Sequence, residues 1–363
     1  ENARLDTSFM YDEGNLVSFG SVRKDFTVNG SWFGTTSSLI GDRNASNLSA
    51  KYQVNEQLSL GLTAYDSGAI HINYQGAGIS AAATTALTAF GSLPSADPRS
   101  ALAPLVNVNT AGPKVNLTSD SIALLANYNF SDNFSALGGL RYDKYEVADG
   151  DIFGLAGNGA PSVSDASDTV PVIGVAYSRP DIALRVELLH QGKASVGMAT
   201  TCAAPVTVCA DGDSTGGLAQ FTTLNFQSGV AQDTLVFGSI HKGKWSDSQL
   251  SVSDIGVGSF AGPTSAFEDS TEYSLGIAHR ISDALALSAA YNWEKAGGGT
   301  TGSLFTVNDG YKGITLGVRY TIEDVELSVG YNRTKLGKVT YNGINELSGN
   351  TVTAIGAKAT LRF

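Results

Sequence analysis

Along most of this chain apolar and polar residues alternate one for one. In "LALSAAYNW", Leu285, Leu287, Ala289, Tyr291 and Trp293 alternate with Ala286, Ser288, Ala290 and Asn292. In "VELSVGYN", Val325, Leu327, Val329 and Tyr331 oppose Glu326, Ser328, Gly330 and Asn332. The same period runs through "ITLGVRYTI", through "IALRVELLH" and to the last residue, Phe363. A period of two is the signature of a strand with two unlike faces. Fourteen such strands are predicted, at about 15–27, 45–54, 58–74, 114–130, 134–149, 168–178, 182–198, 219–230, 234–252, 270–281, 285–295, 311–322, 325–340 and 351–363.

Connection lengths say how the strands are arranged. Six pairs are joined by very short turns, at Asn55, Ser131, Pro180, Gln232, Ser282 and Glu323. Between them lie longer stretches rich in Gly, Ser, Asp and Thr, so short and long connections alternate. An even number of strands joined in this way is the layout of an outer-membrane barrel. Tyr52, Tyr128, Phe130, Phe134, Tyr177, Tyr320 and Phe363 share the apolar parity near the short turns. Tyr142, Tyr291 and Trp293 share it nearer the other end. Two aromatic belts match the two interfaces of a bilayer. The fold class expected is therefore all-β, a 14-stranded antiparallel transmembrane β-barrel with short periplasmic turns, long extracellular loops and a short N-terminal plug. Residues 1–14 are assigned to the plug and 15–363 to the barrel.

Composition fits that picture. Among 363 residues there are 42 Gly but only 2 Met and 2 Cys, and the net charge is -11. No apolar run approaches the ~18 residues of a spanning helix. The acidic balance argues against nucleic acid as a partner. The opening residues do not form a signal peptide, so for an exported chain the signal is expected to be already removed. Cys202 and Cys209 have six residues between them in a Pro/Gly/Asp-rich loop, where a disulfide is expected in an oxidising compartment. The four histidines stand in no catalytic pattern, and neither an enzyme nor a cofactor is expected.

Three stretches stand out. "MYDEGNLVSFG" leads into the first strand. "SLGLTAYDSGAIHINY" alternates cleanly until Asp66, Ser67 and Gly68 interrupt it. "TLVFGSIHKGKWSD" closes a hairpin. A Gly within a strand often marks a bulge, and the interruption reads either as a bend in the wall or as the lip where the strand leaves the membrane. In "DEGN", "LGLTAYDSGA" and "TLVFGS…KWSD" the chain resembles the FadL/TodX family of outer-membrane transporters of long-chain fatty acids and other hydrophobic compounds. The resemblance implies a Gram-negative outer membrane and hydrophobic small molecules as substrates. It also implies a kinked third strand that opens the wall sideways, at Asp66, Ser67, Gly68 and Ala69. Family members carry an N-terminal hatch; this chain has about fourteen residues for one and no Asn-Pro-Ala stretch, so a short or incomplete hatch is expected.

The remaining candidates follow from position. Ile79, Ala83, Leu87 and Phe90 recur at helical spacing in the long loop after the third strand, where they would either capture an apolar ligand or cap the lumen. Phe9, Met10 and Tyr11 belong either to a plug or to the periplasmic interface. Arg141, Arg185, Arg319, Lys358 and Arg362 have inward parity, as candidate cations of the lumen. Outer-leaflet lipid and lipopolysaccharide are the expected surroundings. The rival reading is a diffusion porin for small polar solutes.

Overall fold

The computed structural model describes residues 4–32, 35–73, 114–151, 162–201, 212–251, 265–301, 303, 305–341 and 345–363. Fourteen strands close into one barrel. In chain order they are β1 Leu16–Thr27, β2 Arg43–Gln53, β3 Leu58–Asn73, β4 Lys114–Asn129, β5 Phe134–Asp151, β6 Ala166–Arg179, β7 Leu184–Gln191, β8 Phe221–Ala231, β9 Thr234–Gly243, β10 Ser270–Arg280, β11 Leu285–Glu294, β12 Tyr311–Ile322, β13 Val325–Leu336 and β14 Thr351–Arg362. Each pairs antiparallel with its neighbours in sequence, and β14 pairs with β1 from Leu16↔Arg362 to Thr27↔Thr351. Closure leaves no free sheet edge, which is what lets strands cross hydrocarbon.

The alternation sorts cleanly between outside and lumen. Ile314, Leu316, Val318, Tyr320 and Ile322 on β12 are exposed, as are Val325, Leu327, Val329 and Tyr331 on β13. From Ile314 to Ile322 is roughly 27 Å of strand, or about 20 Å of height at the usual tilt. That is the height of a lipid-facing band. Phe130, Phe134, Tyr52 and Phe363 stand exposed at the end with the short turns, and Tyr142 and Tyr291 towards the other. Leu124 lies midway along β4 and is 62% exposed. Replacing it with Arg is expected to cost about 2–4 kcal/mol of folding free energy in a bilayer, read from urea unfolding in lipid vesicles. No change in the unfolding midpoint would mean that this face does not meet lipid.

Two strands end earlier than their patterns suggest. The seventh, expected over 182–198, leaves the barrel at Gln191. Gly192 donates to the Pro171 carbonyl at 2.9 Å, Ala194 donates to Leu218 at 3.0 Å, and the chain turns outward. Val196–Thr201 then joins an external three-stranded sheet with Gly212–Gly216 and Ser162–Val163. The ninth, expected over 234–252, stops at Gly243, where a 3-10 turn takes over at Trp245–Asp247. A second external sheet gathers Thr300–Thr301, Val339–Tyr341, Asn345–Leu347, Asn29–Trp32 and Thr35–Ser38. Alternation continues through these pieces, so their pattern alone does not separate wall from loop.

Candidate functional site: a plugged lumen and a break in the wall

The N-terminal segment lies in the lumen. Its 3-10 turn, Ser8–Tyr11, places Phe9 and Met10 against Ala123, Leu125, Leu137, Val172 and Leu189, all lumen-facing residues of β4 to β7. Leu5 and Leu16 complete the cluster. Gly61 on β3 allows the close approach: a Cβ there would sit 2.1 Å from Met10 Sδ and 3.0 Å from Phe9 Cε2.

Polar contacts fix the rest of the segment. Glu187 on β7 accepts hydrogen bonds from Thr7 Oγ1 at 2.8 and 2.9 Å, from Tyr11 Oη at 2.7 Å and from Asn225 Nδ2 at 2.8 Å. Burial, and next the facing Glu187 carboxylate, push the Tyr11 phenol well above its ordinary range, so it remains a donor. The Arg185 guanidinium lies 4.7 Å from the centre of the Tyr11 ring. Arg4 reaches Glu272 at 2.8 Å and Ser239 at 3.1 Å. Arg362 pairs with Asp12 at 3.1 Å and Glu326 at 3.3 Å. Lys51 donates to the Asp12 carbonyl.

Cavities lie on both sides of this segment. The external one, about 800 Å³, is lined by Phe26, Ile70, Leu117, Trp245, Phe267 and Phe305, with Glu272, Glu294 and Tyr311 among its polar groups. Aromatic rings border it: Trp245 stands edge-on to Phe221 at 5.7 Å and to Phe267 at 6.0 Å. Its rim is held by Asp309. Burial raises the pKa of that carboxyl, but N–H groups of Gly297, Gly298 and Gly299 outweigh it and hold it below the usual range. The periplasmic cavity, about 410 Å³, is lined by Arg185, Arg319, Lys358 and Arg362 with Asp12 and Glu326. A third, about 760 Å³, lies beside the plug and reaches Lys24, Ser46, Tyr65 and Asp66.

The wall breaks beside that third cavity. Between β3 and β4 the register passes from Asp66↔Asp120 to Gly68↔Ser119, so Ser67 is an extra residue, a bulge. Ser67 Oγ is buried and lies 3.0 Å from the Ser119 carbonyl and 2.9 Å from Ser119 Oγ. Beyond it β3 stays with β4 as far as Asn73↔Lys114. Its other ladder stops sooner, because the last β2–β3 pair is Asn47↔Tyr65. β2 instead stays with β1 up to Lys24↔Arg43. The two sides meet again higher up, where Asn73 donates to the Leu39 carbonyl at 2.9 Å. A window is thus framed between Tyr65 and Asn73. Asp66 bridges it, accepting from the Ser46 N–H at 2.6 Å and lying 3.6 Å from Arg43. Ser67, Gly68 and Ala69 are buried, so the window is covered in this conformation.

The bulge also exchanges faces. Below it Thr63 and Tyr65 point to the lumen; above it Gly68, Ile70 and Ile72 do, against Leu117 and Val115. That swap creates the apolar end of the external cavity. Ile70 was missed in the sequence because it takes the lumen parity only once the bulge is placed; Phe26 and Leu117 keep the lumen parity of their own strands, and their signal was an apolar residue on that parity near the loop end. Arg141 also differs from a simple lumen cation. It is buried, with Nε 2.8 Å from Asp143, and lines none of these cavities. Ile79, Ala83, Leu87, Phe90, Cys202 and Cys209 lie outside the described residues. Among the described residues no cluster of His, Cys, Asp or Glu could hold a metal ion.

A closed 14-stranded antiparallel barrel with its N-terminal segment inside the lumen defines an outer-membrane-type β-barrel. The chain belongs to the family described as TonB dependent receptor-like, beta-barrel, which it matches over residues 2–189. No curated protein matches the sequence. Solved structures share the fold at low identity. The toluene transporter TodX of P. putida is 15% identical, with 98% of this chain and 91% of that one covered and a TM-score of 0.65. The toluene transporter TbuX of Ralstonia pickettii is 13% identical, covering 98% and 90%, with a TM-score of 0.60. The monoaromatic hydrocarbon channel CymD is 13% identical over the same shares, with a TM-score of 0.57.

Proposed function

We propose that this barrel passes small hydrophobic compounds across the outer membrane, taking them up in the external cavity and releasing them sideways through the β2–β3 window. The observation that carries the reading is the ladder that stops at Asn47↔Tyr65 while its neighbour continues to Asn73↔Lys114. A bulge exposes backbone groups that a closed wall would pair, so it is retained where a strand must part from its neighbour. The external cavity has the chemistry of a capture site, apolar and aromatic walls with a few polar groups. An apolar solute gains nothing from a water-filled pore, and a side exit delivers it directly to hydrocarbon. Fold-sharing barrels that are toluene transporters and a monoaromatic hydrocarbon channel support the same substrate class. Monoaromatic hydrocarbons and long-chain fatty acids are the two candidates. Arg319 and Lys358 line both the periplasmic cavity and, with Lys24, the cavity beside the window, so the route offers positive charge to a carboxylate as well as apolar walls to an uncharged compound.

The porin reading predicts the opposite electrical behaviour. Phe9 and Met10 are buried in the lumen against β4 to β7 and narrow it. The wild-type protein in planar bilayers is therefore expected to show no steady ion conductance, while cells carrying it take up radiolabelled toluene faster than cells without it. Stable open steps together with unchanged toluene uptake would establish the porin instead.

A further inference from the structure

The outward charges above the lipid-facing band are of two kinds. On β1 and β5 they are paired within the chain. Arg23 lies 2.8 Å from Asp25 and 3.2 Å from Asp42, and Lys144 contacts Glu146 and, at 3.7 Å, Asp165. On β12 and β13 they are not. Lys312 and Lys335 are direct partners in the ladder, both on the outward face and both exposed. Arg333, also exposed, follows two residues along the same face of β13, opposite Ile314. Directly opposed residues have Cβ atoms about 4.5–5.5 Å apart, and like charges so placed are destabilising. Among the described residues none of the three makes an ion pair or hydrogen bond. The chain has 34 acidic residues against 23 basic ones, yet no carboxylate among the described residues pairs with them.

Their surroundings say what does. Directly beneath lie Ile314, Leu316 and Val318 on β12 and Tyr331 and Val329 on β13, all exposed. To one side the register partner of Lys312 is Trp293, which stacks on Tyr273 at 5.2 Å and on Tyr291 at 5.5 Å. To the other side Thr351 pairs with Lys335 and Thr353 with Arg333. The cations therefore stand at the external edge of hydrocarbon, level with an aromatic belt. What touches that height is the headgroup layer of the outer leaflet.

We propose that Lys312, Arg333 and Lys335 form a binding site for the phosphate groups of a phosphorylated glycolipid of the outer leaflet, whose acyl chains lie along Ile314, Leu316, Val329 and Tyr331. The lipid supplies the negative charge that the ladder lacks. Arg is suited to grip phosphate through paired N–H groups, while the two lysines act as point charges. This site faces away from the lumen and is independent of what the barrel transports.

The test uses purified full-length protein in detergent micelles with three probes: bisphosphorylated lipid A, the same lipid A without phosphates, and inorganic phosphate. Binding is followed by native mass spectrometry and by titration. Each cation near an anionic headgroup contributes about fivefold in affinity, so the triple variant Lys312→Gln/Arg333→Gln/Lys335→Gln is expected to bind bisphosphorylated lipid A about a hundredfold more weakly. Arg23→Gln, at a paired site of similar height, is expected to change nothing. The triple variant relieves repulsion, so its unfolding temperature should not fall, which separates lost binding from lost fold. Equal affinity of the wild type and the triple variant overturns the proposal. So does equal affinity for the two forms of lipid A. Inorganic phosphate binding as tightly as bisphosphorylated lipid A overturns it too, because the site would then belong to free anions.

Discussion

Uptake of toluene is expected to stop when the β2–β3 window is stitched shut and to return when the stitch is reduced. The stitch is the pair Ser46→Cys and Asp66→Cys, made in a chain whose own Cys202 and Cys209 are replaced by Ser. Those two positions already face each other, since Asp66 accepts from the Ser46 backbone at 2.6 Å. The window has no ladder pair between Asn47↔Tyr65 and the Asn73–Leu39 bond, and Asp66, through Ser46 and Arg43, is what bridges its lower end. A cross-link of the usual 2–4 kcal/mol would keep it closed by a factor of about thirty or more. The reduced form is the internal control, because it carries the same substitutions. Deleting Ser67 should have a similar effect by another route: Gly68 would then follow Asp66 directly opposite Ser119, so Ile70 and Ile72 keep their places in the cavity while the bend that parts β3 from β2 is lost. Uptake that proceeds unchanged with the cross-link formed would mean that the substrate leaves by the lumen, past the plug.

Removing residues 5–11 is expected to turn a silent barrel into an ion-conducting pore. These residues contribute Leu5, Phe9 and Met10 to the apolar cluster and Thr7 and Tyr11 to the bonds on Glu187. Fourteen strands enclose a lumen wider than wall side chains alone can fill, so little else would replace them. A finer variant apportions the effect. Glu187→Ala leaves Thr7, Tyr11 and Asn225 without their acceptor, and bonds to a charged group are worth about 1.5–3 kcal/mol each. The apolar cluster persists in that variant, so brief openings rather than a permanent pore are expected in single-channel records. If the deleted chain folds, judged by its heat-modifiable mobility on a gel, and still shows no conductance, the segment is not what closes the lumen.

The alternation of Leu285 to Trp293 or Val325 to Tyr331 determined the strand count and the lipid-facing set without help from the rest of the chain. Side-chain period and turn length are local properties, and in a barrel each strand needs only its sequence neighbours. The six short turns therefore carried the topology as well. The "DSG" interruption located the disturbance in β3. It did not show that one extra residue, Ser67, transfers Ile70 and Ile72 to the lumen, because a bulge is defined by its partner strand. The early exits at Gln191 and Gly243 have the same cause: their residues alternate still, and only contacts with Pro171, Leu218 and Gln220 turn them outward.

The site itself was a matter of tertiary structure. Glu187 reads as an ordinary lumen carboxylate two residues from Arg185; its partners Thr7 and Tyr11 lie about half the chain away in sequence. Arg141 reads as a lumen cation until Asp143 and Gln191 close around it. Lys312 and Lys335 become a charged pair only through the β12–β13 register. The sequence by itself determined which residues face lipid and how many strands enclose the lumen, since a period of two requires no distant contact. Where the wall parts, what fills the lumen and which charges lack a counter-charge were decided by closure of the barrel, because each depends on residues brought together from remote parts of the chain.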